Sequence, residues 1–162
     1  MVYILVIISF LLESAITNIV SIDSIFIPLF KLTSLVILYP YFKNKTNFII
    51  ACLICGFIYD VSFSDSVFIN TISFGISGFL TVLAYNYFKH TIYSSNFINI
   101  FIIVLYRIIS YVLLVIVDYM NFKWFILIKG IYSSIIINII YGIFIYLISN
   151  FLSKMFNIKK NI

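Results

Sequence analysis

Between Val2 and Phe151 the sequence is a series of long apolar runs joined by links of a few residues: SID, KNK, DVSFSDS, KHTIYSSN and DYMNFK. Few folds accept such a pattern. A soluble domain carries charge on about a quarter of its residues. Here 9% are charged and 64% are hydrophobic, with a mean hydropathy of +1.22. Five acids and ten Lys or Arg cannot clothe a water-facing surface, so the solvent of most of the chain is lipid. The expected class is an all-α integral membrane protein with one transmembrane domain over 1–162.

A bilayer core of about 30 Å takes about 20 apolar residues per helix. Six runs are expected to cross it, at about 2–20, 25–42, 46–59, 67–88, 97–117 and 124–151. The third is short for a full crossing. The first has no basic leader and no clean cleavage site, so it reads as a retained span and not a signal peptide. Short links make consecutive helices antiparallel neighbours. Little chain is left outside the spans, so extramembrane work would fall to partners.

Charge sets the expected orientation. Lys43 and Lys45, Lys89 and His90, and Lys154, Lys159 and Lys160 share one side. Asp23, Asp60, Asp65 and Asp118 share the other, with Lys123 the one basic exception. Basic short loops stay in the cytoplasm, which places both termini there. Tyr39, Tyr41 and Phe42, then Tyr85, Tyr87 and Phe88, then Tyr119 and Trp124 stand where interfacial aromatic belts belong. Asp60 to Asp65 becomes an outer hairpin, with Ser64, Asp65 and Ser66 as candidate N-caps for the fourth span.

That fourth span is laced with small residues. Thr71, Gly75 and Gly78 share one helical face, and Ser73, Ser77, Thr81 and Ala84 form an adjacent stripe. Lipid gives helices no hydrophobic reason to associate, so close packing over small residues becomes a main attraction. The face can pack inside this chain or receive a partner's transmembrane helix.

Two charges are expected at membrane depth. Glu13 and Arg107 both lie roughly 15–16 Å from the same side. A lone charge there costs at least about 2.5–3.5 kcal/mol, so opposite charges at matched depth suggest an ion pair between spans one and five, either structural or part of a ligand or partner site. Lys31 and Lys129 are expected to snorkel outward or reach the outer aspartates. Asn138 is placed to hydrogen-bond across helices. Cys52 and Cys55 form a CxxC inside an apolar run, read as packing and not as a redox or zinc pair. His90 reads as an interfacial charge. The sequence offers no nucleophile–base set, metal cluster or phosphate-binding glycine loop, and no cofactor is expected.

Pro28, the stretch GFIYD from Gly56 to Asp60, Asn70, and Gly75 with Gly78 resemble the rod shape-determining protein MreD family. The resemblance covers most of the chain, including its length and span number. One position departs: the family often has glycine two residues before the Asn, where this chain has Phe68. The resemblance implies a non-enzymatic scaffold of the cell-elongation machinery in the bacterial inner membrane. It implies work beside the bitopic MreC, the cytoskeletal MreB and the wall polymerase–transpeptidase pair in directing lateral peptidoglycan synthesis. It also implies a six-helix bundle like the substrate-binding subunits of energy-coupling-factor transporters, with Gly56, Asp60 and Asn70 shaping the outer hairpin. The alternative is such a vitamin-transporter subunit itself. The first span, ILVIISFLLESAIT, lacks the Ala-x-x-x-Ala with which that family docks its coupling subunit.

Overall fold

The chain has two prolines, and they set the shape of its centre. In the computed structural model, which describes residues 2–19, 27–63, 68–158 and 160, a helix occupies only the stretch between them. This is α2, Phe30–Leu38, followed by a 3-10 turn at Tyr39–Tyr41. Pro28 biases the residue before it away from helical geometry, and Pro40 stops a helix at about the residue that precedes it. Nine residues span about 13.5 Å, under half the apolar thickness of a bilayer. The expected second span is therefore a short internal helix, and Pro40 was the signal that should have ended it. All nine of its residues are buried.

Around it stand α1 (Val2–Ile19), α3 (Lys45–Phe63), α4 (Ile69–Tyr87), α5 (Ile92–Ile116) and α6 (Trp124–Met155). The described residues are all-helical outside their links and turns. Consecutive helices α3 with α4, α4 with α5 and α5 with α6 pack side by side, while α2 touches all five others. The principal neighbour of α1 is α2, not α5. Three helices are both long and apolar enough to cross a membrane: Lys45–Ser62, Ile92–Ile116 and Trp124–Met155. The apolar part of α1, Val2–Thr17, is shorter. In α4 the serines, threonines and asparagines dilute the hydropathy. The third span is longer than expected, since α3 runs four residues past Tyr59 to Phe63. Asp23, Asp65 and the candidate caps Ser64 and Ser66 lie outside the described residues.

The outer surface is apolar, and polar residues are buried beside an apolar core. On α1, Ile4, Ile7, Ile8 and Leu11 are exposed, while Ser9 and Glu13 are buried. On α4, Ile72, Ile76, Phe79 and Leu83 face outward, while Asn70, Ser73, Ser77 and Thr81 face the centre. Apolar surface of that extent marks a face covered by lipid or by another protein. One end of the bundle departs from the expected aromatic belt. Tyr39, Tyr41, Phe42 and Tyr85 are buried, where Tyr39 packs against Phe48 and Tyr85 at 4.8 and 5.3 Å between ring centroids. Tyr87, Tyr119 and Trp124 do face outward. His90 is half-buried among Tyr41, Tyr85 and Tyr146, with centroids 5.8, 6.1 and 4.9 Å away. Burial, with nearby Lys160, pushes its pKa down to about 4, so it is neutral at pH 7 and not the interfacial charge the sequence suggested.

The tightest seam joins α3 to α4. A Cβ on Gly56 would stand 2.7 Å from both the carbonyl oxygen of Asn70 and the Cα of Thr71. One on Gly78 would stand 2.8 Å from Cys52 Sγ. The small-residue face of α4 is thus filled by α3. Gly130 on α6 has nothing within 4 Å of the equivalent position. Gly56→Ala, which meets backbone that cannot yield, is expected to cost about 1–3 kcal/mol. Gly130→Ala is expected to be neutral or to stabilise by up to about 1 kcal/mol, the helix-propensity gain. Thermal unfolding of the two variants in detergent checks the contrast.

Candidate functional site

Neither α2 nor α4 caps its own N-terminus. Their N-cap residues are Leu29 and Phe68, and neither contributes a side-chain hydrogen bond. The first amide groups of a helix have no intrahelical partner, and both of these helix starts are buried. In each case a carboxylate from the preceding helix supplies what is missing.

Asp60, on the last turns of α3, serves α4. Its Oδ1 accepts from the Asn70 backbone N–H and from Asn70 Nδ2, both at 2.9 Å. Its Oδ2 accepts from the Thr71 N–H at 2.8 Å and from Thr71 Oγ1 at 2.7 Å. These amides belong to the second and third residues of the helix, the ones a cap side chain normally satisfies. The positive end of the helix dipole also favours the negative charge. Gly56 lies one turn before Asp60 on the same face, and its missing side chain lets the two helices approach closely enough for the contact. Asn70 passes the connection on: its Oδ1 accepts from Tyr106 Oη at 2.7 Å, and Tyr106 packs edge-on against Phe74 at 5.3 Å. Gly56, Asp60 and Asn70 are therefore one device linking α3, α4 and α5.

Glu13, on α1, serves α2. Its Oε2 accepts from the Lys31 N–H at 2.9 Å. The chain just before α2 is strapped to α6 by Asn138, whose Oδ1 accepts from the Leu29 N–H at 2.9 Å and from Thr33 Oγ1 at 3.3 Å. Asn138 Nδ2 reaches back to the Ser134 carbonyl at 2.6 Å and the Ile27 carbonyl at 3.4 Å. Beside this lies a hydroxyl cluster. Tyr141 Oη donates to Ser9 Oγ at 2.7 Å, and Ser9 and Ser34 are 2.5 Å apart.

The expected Glu13–Arg107 ion pair does not form. Glu13 turns to the start of α2, and Arg107 donates from Nε to Ser134 Oγ at 2.8 Å. The reason is competition: a helix N-terminus offers a buried carboxylate fixed amides at short range, and α2 sits where α5 would have had to be. Lys31 does not snorkel to water. It is 1% exposed, with Nζ 4.1 and 4.2 Å from the ring centroids of Phe10 and Tyr59. Lys129 is exposed. Sequence reasoning passed over Tyr106, Tyr141 and Ser134, because a single Tyr or Ser in an apolar run does not reveal which distant polar group it meets.

Cys52 and Cys55 remain thiols, with Cys52 packed under Gly78. Among the described residues no group of three or more His, Cys, Asp or Glu is placed to hold a metal ion. Compared with known proteins, the chain matches no family model, no curated protein and no solved structure.

Phe68 has φ of 70°, in the left-handed region. That backbone costs an ordinary L-residue roughly 1–2 kcal/mol. Its side chain is half-exposed and meets the Phe57 ring at 6.2 Å. Phe68→Gly is expected to stabilise by about 0.5–1 kcal/mol, once the greater chain entropy of glycine is subtracted. Phe68→Ala, still strained, gains nothing; thermal unfolding separates the two.

A charge swap tests the role of Glu13. Because the carboxylate serves a helix N-terminus, Glu13→Arg combined with Arg107→Glu sets a cation against the α2 dipole. The double variant is expected to accumulate less than Glu13→Gln, which keeps an acceptor. Wild-type levels of the swapped protein in membranes would return the two residues to a mutual pair.

Proposed function

We propose that the chain is a non-enzymatic membrane scaffold of the MreD kind, crossing the bacterial inner membrane six times with both termini in the cytoplasm, the second crossing being completed by the short α2 together with the non-helical chain at its ends. In this reading it holds a bitopic MreC-like protein beside the wall polymerase–transpeptidase pair and, directly or indirectly, the MreB cytoskeleton. It thereby helps direct lateral peptidoglycan synthesis and maintain rod shape. The observation that supports it best is the joining of Gly56, Asp60 and Asn70, the residues that carry the resemblance, into one hydrogen-bonded device. A scaffold needs such a device, because a face that recognises a partner's helix must keep its shape in lipid, where helix contacts are individually weak. The pinned α3–α4 pair offers an outward face with Ile72, Ile76 and Phe79 on α4 and Ile54 and Phe57 on α3. This is the surface on which we place the partner's helix.

The test is affinity capture of the tagged chain from detergent-solubilised membranes, with partners identified by mass spectrometry. The expected result is a single-span protein together with wall-synthesis enzymes, and rounded cells when the chain is depleted. Asp60→Ala, which leaves buried amides of α4 unmet at about 1–3 kcal/mol, is expected to restore rod shape only in part at equal membrane level. Recovery of a coupling subunit and its ATPases in place of wall enzymes would overturn the scaffold reading in favour of a vitamin-transporter subunit.

A further inference from the structure

One cleft brings two cationic side chains together, where a smaller one of about 120 Å³ has Lys31 alone. It lies between α5 and α6, has a volume of about 260 Å³, and is lined by Arg107, Lys129, Tyr111, Leu114, Met120 and Ile126 among others. Two larger clefts, of about 360 and 590 Å³, have no charged side chain in their walls. The charged cleft is also built. Tyr111 Oη accepts from the Lys123 N–H at 2.6 Å and donates to the Lys123 carbonyl at 3.0 Å. That clamp fixes the link that carries Met120 into the wall. Ser134 holds Arg107 by Nε, which orients the guanidinium. Arg107 Nη2 is shielded from solvent and has no hydrogen-bond acceptor among the described residues. No carboxylate among the described residues forms an ion pair with Arg107 or Lys129.

A guanidinium that lines a cleft and is held there by a single nitrogen is a fork for a planar or tetrahedral oxyanion. In an apolar surround, a cation with no carboxylate in ion-pair contact is costly, so an anion that enters is favoured by more than its contacts in water would suggest. The remaining wall is aliphatic and aromatic, which a hydrophilic anion would leave unused. A cleft of this size is slightly below the range of about 300–1,000 Å³ that encloses whole drug-sized ligands. It suits a headgroup and the first carbons of a chain.

We propose that this cleft binds an acidic amphiphile, with a phosphate or carboxylate against Arg107 and Lys129 and the adjoining carbons along Leu114, Met120 and Ile126.

The experiment uses the purified full chain in an uncharged detergent, read by native mass spectrometry and thermal unfolding. Three probes separate the sources of the anion: phosphatidylglycerol, phosphatidylcholine with the same chains, and glycerol 3-phosphate. Phosphatidylglycerol is expected to bind one-to-one and raise the unfolding temperature. It should bind at least about tenfold more tightly than the other two, the order of one charge-assisted hydrogen bond. Lys129→Gln, on an exposed side chain that does not threaten the fold, is expected to remove most of that preference. Arg107→Lys retains part of it, and Lys154→Gln at the far end of α6 retains all of it. Equal binding of the two lipids, or an undiminished preference in Lys129→Gln, would overturn the site. Glycerol 3-phosphate binding as tightly as phosphatidylglycerol would overturn the amphiphile and leave a site for a soluble anion.

Discussion

A helix that begins out of reach of water must find partners for its first amide groups, and in this protein two helices begin that way. The start of α2 is wrapped by the other helices, and the start of α4 is covered on its inner face. Neither has a capping side chain of its own. Glu13 and Asp60 meet the need from outside, each from the helix that precedes the one it caps. The solution is reciprocal. A buried carboxylate is as costly in isolation as an unmet amide, and the helix dipole favours the charge that satisfies it. Removing either carboxylate would strand donors in an apolar interior and would unfasten one helix from its neighbour.

The two caps also explain why polar residues are buried within an otherwise apolar core. Once α2 is a short helix at the centre, its ends need polar partners from every side. Glu13 comes from α1, Asn138 from α6, and the Ser9–Ser34–Tyr141 hydroxyls tie all three helices together. The second network runs from Asp60 through Asn70 to Tyr106. Between the networks the helices touch over small residues, where Gly56 and Gly78 let α4 lie directly against α3. In lipid, where apolar surface gains little by meeting apolar surface, such contacts and hydrogen bonds do most of the joining.

Arg107 shows how the same logic creates a site. Glu13 gives one carboxylate oxygen to α2, and Arg107 is held by Ser134 in the wall of a cleft instead. A charge that would be unfavourable without a function becomes a means of recognition. The outward face of α3 and α4 and the cleft of α5 and α6 are lined by different residues.

Much of the architecture was legible in the residues. The lipid solvent followed from the scarcity of charge and the helices from the apolar runs, while Gly56, Asp60 and Asn70 were singled out by the family resemblance alone. The contacts at Glu13, Arg107 and Lys31 were not legible, because a sequence reports the depth of a charge but not its azimuth or its competitors. Depth alone made Glu13 and Arg107 look like a pair. The interruption of the second run was written in Pro40, but an apolar count passes over it, and no count of hydropathy says that the resulting short helix will lie at the centre. What the sequence determined by itself was the medium, the helical class and the places where backbone geometry is restricted, because these depend on local composition and sterics. What only the tertiary structure decided was which polar group answers which, since a carboxylate, an amide and a guanidinium have several possible partners until the packing of distant helices leaves one within reach.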